Sequence, residues 1–397
     1  MKAGWQRKSI DAVCEVVNGG TPKTGVAEYW DGPHQWITPA EMGKRATPYI
    51  DQTERTITNA GLQNSSARLL PAQSVILSSR APIGHLVINT VPMATNQGCK
   101  GLVPRDGLDS KYLYYYLASI VPLLNDLGTG ATFKELSGGK LKEIPIPLPS
   151  LPEQHRIVAI LDEAFDGIAT AKANAEQNLQ NARALFESHL QRVFTEAWTT
   201  GELVTLADLA TDITDGDHMP PPKAANGVPF ITIGNVAKDS HTIDFTDTFK
   251  VPREYFDSLK PNKKPKLGDV LYTVTGSFGI PVLVKEQQDF CFQRHIGLVR
   301  PKSDFCSEWL YYLLMSPQIV QQANEGATGT AQKTVSLKVL RGFKVPRIPL
   351  ADQAAAIAKL NSLATETQRL ESLYRQKLAA LEELKRSLLH RAFSGQL

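Results

Sequence analysis

Two stretches of the chain carry apolar residues at alternating steps of three and four. Over residues 152–197 they are Ile157, Leu161, Ala164, Ile168, Ala171, Ala175, Ala182 and Leu185, with Asn178 as a polar interruption. Over residues 351–393 they are Ile357, Leu360, Ala364, Thr367, Leu370, Tyr374, Leu378, Leu381, Leu384 and Leu388. A seam of period 3.5 sustained this long predicts two helices that pair as a coiled coil. Pro152 suits a first helical turn, where its missing N–H has no partner to lose, and Gly201 and Gly395 suit the ends. At 1.5 Å per residue, a helix of this length measures about 65 Å. Residues 1–150 and 201–350 read differently. They are rich in Gly, Pro and short β-type runs, such as 74–77, 85–88, 270–274 and 282–285, each with one helical stretch, at 112–120 and 309–322. That pattern predicts two α+β modules of about 150 residues each.

The modules repeat one another. Gly130-Ala131-Thr132-Phe133-Lys134-Glu135-Leu136-Ser137 aligns with Gly329-Thr330-Ala331-Gln332-Lys333-Thr334-Val335-Ser336 at an offset of 199 residues. The same offset carries Pro147 to Pro346, Gln154 to Gln353, Arg192 to Arg391 and Phe194 to Phe393. Further upstream the match continues with small slips: Tyr112-Leu113-Tyr114-Tyr115 faces Trp309-Leu310-Tyr311-Tyr312, and Trp36-Ile37-Thr38 faces Phe230-Ile231-Thr232. Long amphipathic helices alone would point to an ordinary bundle. Two copies of module plus helix instead give a pseudo-two-fold object, suited to a ligand with two half-sites.

Composition narrows the class. The chain has 397 residues, 42% of them hydrophobic and 21% charged, with no apolar run of membrane-spanning length, so a globular cytoplasmic protein is expected. Cys14, Cys99, Cys291 and Cys306 lie far apart, which argues against a disulfide framework or a zinc site. Basic and acidic residues number 15 and 12 in 1–150, 4 and 7 in 151–200, 17 and 16 in 201–350, and 7 and 5 in 351–397. Any nucleic-acid contact must therefore come from charges gathered on one face.

Enzyme signatures are missing. Met219-Pro220-Pro221-Pro222 lacks the polar leader of an adenine methyltransferase loop, and Gly326-Ala327-Thr328-Gly329 lacks the further glycine of a dinucleotide turn. Ser137-Gly138-Gly139-Lys140 lacks the first glycine of a phosphate loop. Asp106, Asp109 and Lys111 sit in a turn bounded by Pro and Gly and read as a solvated charged loop rather than a metal-dependent nuclease.

Several ordered motifs resemble the specificity subunits of type I restriction-modification systems. In the first half they are Gly19-Gly20-Thr21-Pro22, Trp36-Ile37-Thr38-Pro39, Ser78-Ser79-Arg80-Ala81-Pro82-Ile83-Gly84, Thr95-Asn96-Gln97-Gly98-Cys99 and Leu151-Pro152-Glu153-Gln154. In the second they are Asp215-Gly216-Asp217-His218, Thr275-Gly276-Ser277-Phe278-Gly279 and the end from Leu389 to Leu397. Leu350-Ala351-Asp352-Gln353 departs from its counterpart by lacking Pro and Glu, which predicts a different start for the second helix. The resemblance implies target recognition domains at 1–150 and 201–350, and antiparallel spacer helices at 151–200 and 351–397. It also implies a non-catalytic subunit that reads a split site in double-stranded DNA. Two adenine methyltransferase subunits would dock on it, a restriction subunit could join, and S-adenosylmethionine and ATP/Mg would be held by those partners.

Base readout needs donors and acceptors at base edges, and affinity needs cations near phosphates. In the first module such groups are Thr21, Lys23, Thr24, Ser79, Arg80, Asn96, Gln97, Lys100, Thr132 and Lys134. In the second they are His218, Lys223, Thr275, Ser277, Gln293, Arg294, His295, Thr330, Gln332 and Lys333. Each also has a plain structural reading, such as a turn at Gly19–Pro22 or a surface ion pair at Arg80 or Arg294. The low net charge predicts that the duplex is gripped by the whole assembly. If the helices act as a ruler, inserting about one turn in each should favour a longer spacer. The alternatives are a two-headed protein-interaction scaffold, which salt-dependent DNA binding would exclude, and a fused methyltransferase or nuclease, which would need an active-site motif.

Overall fold

A computed structural model describes residues 4–45, 47–130, 134–218, 221–330 and 332–397. The chain divides into two compact units, Met1–Glu176 with Arg375–Leu397, and Gln177–Tyr374.

In the first unit a five-stranded sheet has the spatial order Cys14–Asn18, Cys99–Pro104, Val75–Ser79, Ile83–Asn89, Tyr49–Ile50. All its neighbours are antiparallel except the last pair. Beside it, Trp30–Ile37 pairs antiparallel with Thr56–Ile57 and parallel with Met93–Thr95. The strand Val75–Ser79 is buried throughout because both faces of the sheet are covered. Val75 and Leu77 join the cluster of Tyr112, Leu113 and Leu117 from helix Ser110–Ser119, while Ile76 joins Ile37, Met42 and Val87 on the other face.

The second unit repeats the plan. Its four-stranded antiparallel sheet runs Ala210–Asp215, Ile296–Pro301, Val270–Thr273, Pro281–Leu283. Its three-stranded sheet again mixes one antiparallel and one parallel pair: Val228–Ile231 lies between Lys250–Val251 and Cys291–Phe292. Val270 and Tyr272 face Trp309 and Leu313, and Leu271 faces Val282 and Leu298. The single helical stretches of the sequence reading are each two helices: Ser110–Ser119 with Val121–Leu127, and Ser307–Met315 with Pro317–Gly326. Pro122 and Pro317 lie in the first turn of the second member, so the chain restarts there.

The long helices are Leu151–Thr200 and Leu350–Ser394. The second starts at the residue equivalent to the first, contrary to the different start expected from its missing Pro and Glu. A buried glutamine fixes both starts. The Gln154 amide donates to the carbonyls of Gly107 and Pro149 and accepts from the Asp109 N–H; Gln353 donates to Ile348 and accepts from the Cys306 N–H. Gly395 follows the second helix at φ +81°, a left-handed turn that suits glycine.

Within each unit the two helices run antiparallel. In the first, Ile157 and Leu161 share a core with Leu389 and Ala392, and Lys172 pairs with Glu382 at 2.9 Å. In the second, Leu190, Phe194 and Ala197 share a core with Ile357 and Leu360, and Arg183 pairs with Glu371 at 2.9 Å. The apolar seam departs from its expected course at two places. Leu185 is 59% exposed and Leu384 47% exposed; Phe186 takes the inward place beside Leu185, because the true helix drifts from a strict 3.5-residue repeat.

Candidate nucleic-acid interface

In the first unit, four loops that are distant in sequence are joined by backbone hydrogen bonds. The Gly19 and Gly20 N–H groups donate to the Cys99 and Thr95 carbonyls, and Asn96 N–H donates to Ile37. Ser79 N–H donates to Gly98, Leu136 N–H donates to Ser79, and Thr129 and Glu135 exchange both bonds of a bridge. A Cβ added to Gly19 would lie 1.9 Å from the Asn96 carbonyl oxygen, so glycine is required there by close approach.

The second unit makes the same bonds. Gly216 and Asp217 N–H groups donate to the Ile296 and Phe292 carbonyls, each residue shifted by 197 from its counterpart, and Gln293 N–H donates to Ile231. Val274 N–H donates to His295, Val335 N–H to Val274, and Thr328 bridges Thr334. A Cβ on Gly216 would meet the Phe292 carbonyl, again at 1.9 Å. Even the tip conformation repeats, with Ala81 at φ +54° after Arg80 and Gly276 at φ +72° after Thr275.

The candidate side chains gather around these two centres. Lys23, Thr24, Gln97 and Lys134 are exposed, and Asn96 donates to the Thr21 hydroxyl at 3.0 Å while its own oxygen accepts from Gly98 N–H. Ser79 is fully buried and donates to the Gly98 carbonyl, so it shapes the loop rather than facing outward. Lys100 is 7% exposed; burial depresses its ammonium pKa, and the Glu135 carboxylate opposes that shift. Thr132 lies outside the described residues.

In the second centre Ser277, Arg294, Thr330, Gln332 and Lys333 are exposed. Lys223 is exposed as well, with its ammonium 5.2 Å from the Phe249 ring centre. His218 pairs with Asp215 at 2.8 Å, Gln293 meets His295 at 2.5 Å, and the largely buried Thr275 accepts from the Thr334 hydroxyl at 3.4 Å.

Several participants escaped the sequence reading. Glu135 pairs with Arg80 at 3.5 Å, and Asp217 accepts from the Tyr255 hydroxyl. Lys263 donates to the Gly216 carbonyl at 3.0 Å. The aligned octapeptides contain Glu135 and Thr334, and their bridges to Arg80 and Thr275 arise only when separate strands meet.

The charged turn considered for a nuclease is structural. Asp109 caps helix Ser110–Ser119 by accepting from the Tyr112 N–H, and Lys111 pairs with Asp162 at 2.7 Å. Among the described residues no His/Cys/Asp/Glu group is arranged to hold a metal ion, and no helix is long and apolar enough to cross a membrane. The four cysteines are free, and burial pushes the thiols of Cys14, Cys99 and Cys291 up to about 12. What the two centres offer is hydrogen-bond donors and acceptors on a rigid backbone frame.

A family model for the type I restriction modification DNA specificity domain matches residues 2–181 and again 197–382. The chain is 39% identical over 186 residues to the MjaIX specificity subunit of Methanocaldococcus jannaschii, a stretch covering 46% of this chain and 43% of that protein. It is 32% identical over 171 residues to the EcoR124I/EcoR124II specificity subunit of Escherichia coli, covering 41% of each. The matched stretch thus spans less than half the length of these two relatives. The EcoBI specificity subunit of Escherichia coli is 23% identical over 99% of this chain and 86% of its own. In fold, the chain matches a chain from a study of complex assembly and conformational transition in a type I R-M system, with TM-score 0.81 and 18% identity over 100% of this chain and 99% of that one. It also matches the HsdS subunit of Thermoanaerobacter tengcongensis, with TM-score 0.63 and 19% identity over 100% and 98%. With two copies of the family's domain accounting for most of its length, this chain belongs to the type I restriction-modification DNA specificity family.

Proposed function

We propose that the chain reads a bipartite target in double-stranded DNA, each unit's four-loop centre facing one half-site, and that it performs no chemistry itself. Two adenine methyltransferase subunits dock on it, and the assembly can accept an ATP-dependent restriction subunit. S-adenosylmethionine and ATP/Mg belong to those partners, and the assembly works in the cytoplasm. The observation that carries this reading is the bond-for-bond repetition of the centre in the two units. Two equivalent frames with different side chains suit two half-sites of different sequence, because phosphate contacts position a protein while base-edge contacts specify.

In the first centre Arg80, Gln97 and Lys134 are the principal readers, with Thr21, Lys23, Thr24, Asn96, Lys100 and Thr132 around them. In the second they are Gln293, Arg294 and Lys333, supported by His218, Lys223, Thr275, Ser277, His295, Thr330 and Gln332. Ser79 acts by holding the Gly98 turn. Mapping methylated adenines in cells that express this chain with a methyltransferase partner tests the reading. Two short blocks separated by unspecified positions are expected; one uninterrupted block would contradict it.

A further inference from the structure

The two centres share a crossing beside the Thr129–Glu135 and Thr328–Thr334 bridges: Arg80 bridges Glu135 in the first unit, and Thr275 bridges Thr334 in the second. The backbone is the same and the side chains are not. At the first crossing an ion pair stands with 35% and 42% of its side chains exposed, its guanidinium nitrogen 3.5 Å from the carboxylate. At the second, two hydroxyls are 3.4 Å apart. The Arg80 side chain also lies along Gly98, where an added Cβ would come within 3.2 Å of its Cγ and Nε.

We infer that this crossing sets base preference: Arg80, held by Glu135, reads a guanine of a G·C pair in the first half-site, and Glu135 is the specificity-determining residue that makes it do so. The inference rests on the proposed DNA reading and adds the base class and the second residue. An arginine on a free stem grips any phosphate. One whose guanidinium faces a carboxylate and whose side chain runs along Gly98 is restricted in direction, and its N–H groups match the O6 and N7 acceptors of guanine. The carboxylate also repels phosphate oxygens, which turns the arginine from the DNA backbone toward the base edge. At the second crossing each hydroxyl both donates and accepts and so pairs with either purine, which gives that position a weaker choice.

The test is binding of the assembled methyltransferase complex to duplexes carrying every single-base change in both half-sites. Wild type should show one G·C pair in the first half-site that depends on this crossing. In E135Q, which keeps Arg80, the preference there should fall by about 5- to 150-fold, while preferences in the second half-site stay as in wild type. Removing Glu135 also strips Lys100 of its compensating charge. R80T alone, which keeps Glu135, therefore guards against misfolding and should lose the same preference. The reciprocal T275R/T334E should add a G·C preference in the second half-site. If R80T weakens binding to all sequences alike and lowers the salt slope by about one, Arg80 is a phosphate contact and the inference fails. It also fails if every preference is unchanged. If wild type shows no pair of half-sites, the DNA reading itself is at fault.

Discussion

The two units are built on one backbone and finished with different side chains. At the four-loop centres, Gly19 and Gly216 each lie too close to a backbone carbonyl for a Cβ, that of Asn96 in one unit and Phe292 in the other, and make equivalent hydrogen bonds, yet Arg80–Glu135 in one unit stands where Thr275–Thr334 stands in the other. The helix contacts show the same division. In the first unit the Tyr115 hydroxyl donates to Asp162, which also pairs with Lys111. In the second, Tyr312 donates to Asn361 at 2.7 Å, and the Asn361 amide donates to Glu308. The tyrosine is kept, and the carboxylate moves from the long helix to the short one, where it replaces a lysine. Geometry is thus held by backbone bonds and by neutral groups, which leaves the charged groups free to differ.

Four outcomes break or sharpen this comparison. The largest effect is expected from Gly19→Ala and Gly216→Ala. Each Cβ would collide with a carbonyl oxygen, so each should lower stability by about 3 kcal/mol in denaturant unfolding. Each should also abolish discrimination at its own half-site alone; unequal losses would mean that the two frames are not equivalent. Next, Gln154→Ala and Gln353→Ala should each remove about 2 kcal/mol by leaving buried backbone groups without partners. Gln154 should matter more because it makes three bonds to Gln353's two.

Tyr115→Phe and Tyr312→Phe separate charge from geometry. A bond to a carboxylate should contribute about 2 kcal/mol and one to an amide about 1 kcal/mol in the same assay. Equal effects would show that the Asp162 charge adds nothing.

The smallest effect is a pH dependence in the second unit. Burial holds the His241 pKa below its usual 6.5, against the opposing influence of the Pro281 carbonyl and Asp239. His189 shifts the same way through burial, Arg192 and Lys359. A histidine with a depressed folded-state pKa stays neutral while the unfolded chain gains a proton, so stability is lost as pH falls below about 6.5. His241→Asn, which tolerates the local φ of +52°, should reduce the fall in unfolding midpoint between pH 7.5 and 5.5. An unchanged fall would place the pH response elsewhere.

Much of this architecture is legible in the sequence because its signals are periodic or repeated. The 3.5-residue seam marks both long helices, and one offset links Gly130–Ser137 to Gly329–Ser336. The misplacement of Leu185 and Leu384 comes from extending a strict repeat past the point where the helix drifts off it. Strands of two or three residues, such as Cys291–Phe292 and Pro281–Leu283, are too short to display alternation. The burial of Ser79 and Lys100 and the Arg80–Glu135 pair depend on strands that meet only in the fold. Polar composition pointed to loops that the fold gathers into two centres, and only packing distinguishes the side chains that face outward from those that brace the frame.

The central claim is that the centres read independently. Selection of bound duplexes from a random pool by the assembled complex, carrying either the wild-type chain or Arg294→Ala, tests it most directly. The wild type should return two separated blocks of preferred sequence, and Arg294→Ala should weaken one block and leave the other intact. Loss spread evenly over both blocks, or one unbroken block from the wild type, would contradict the account.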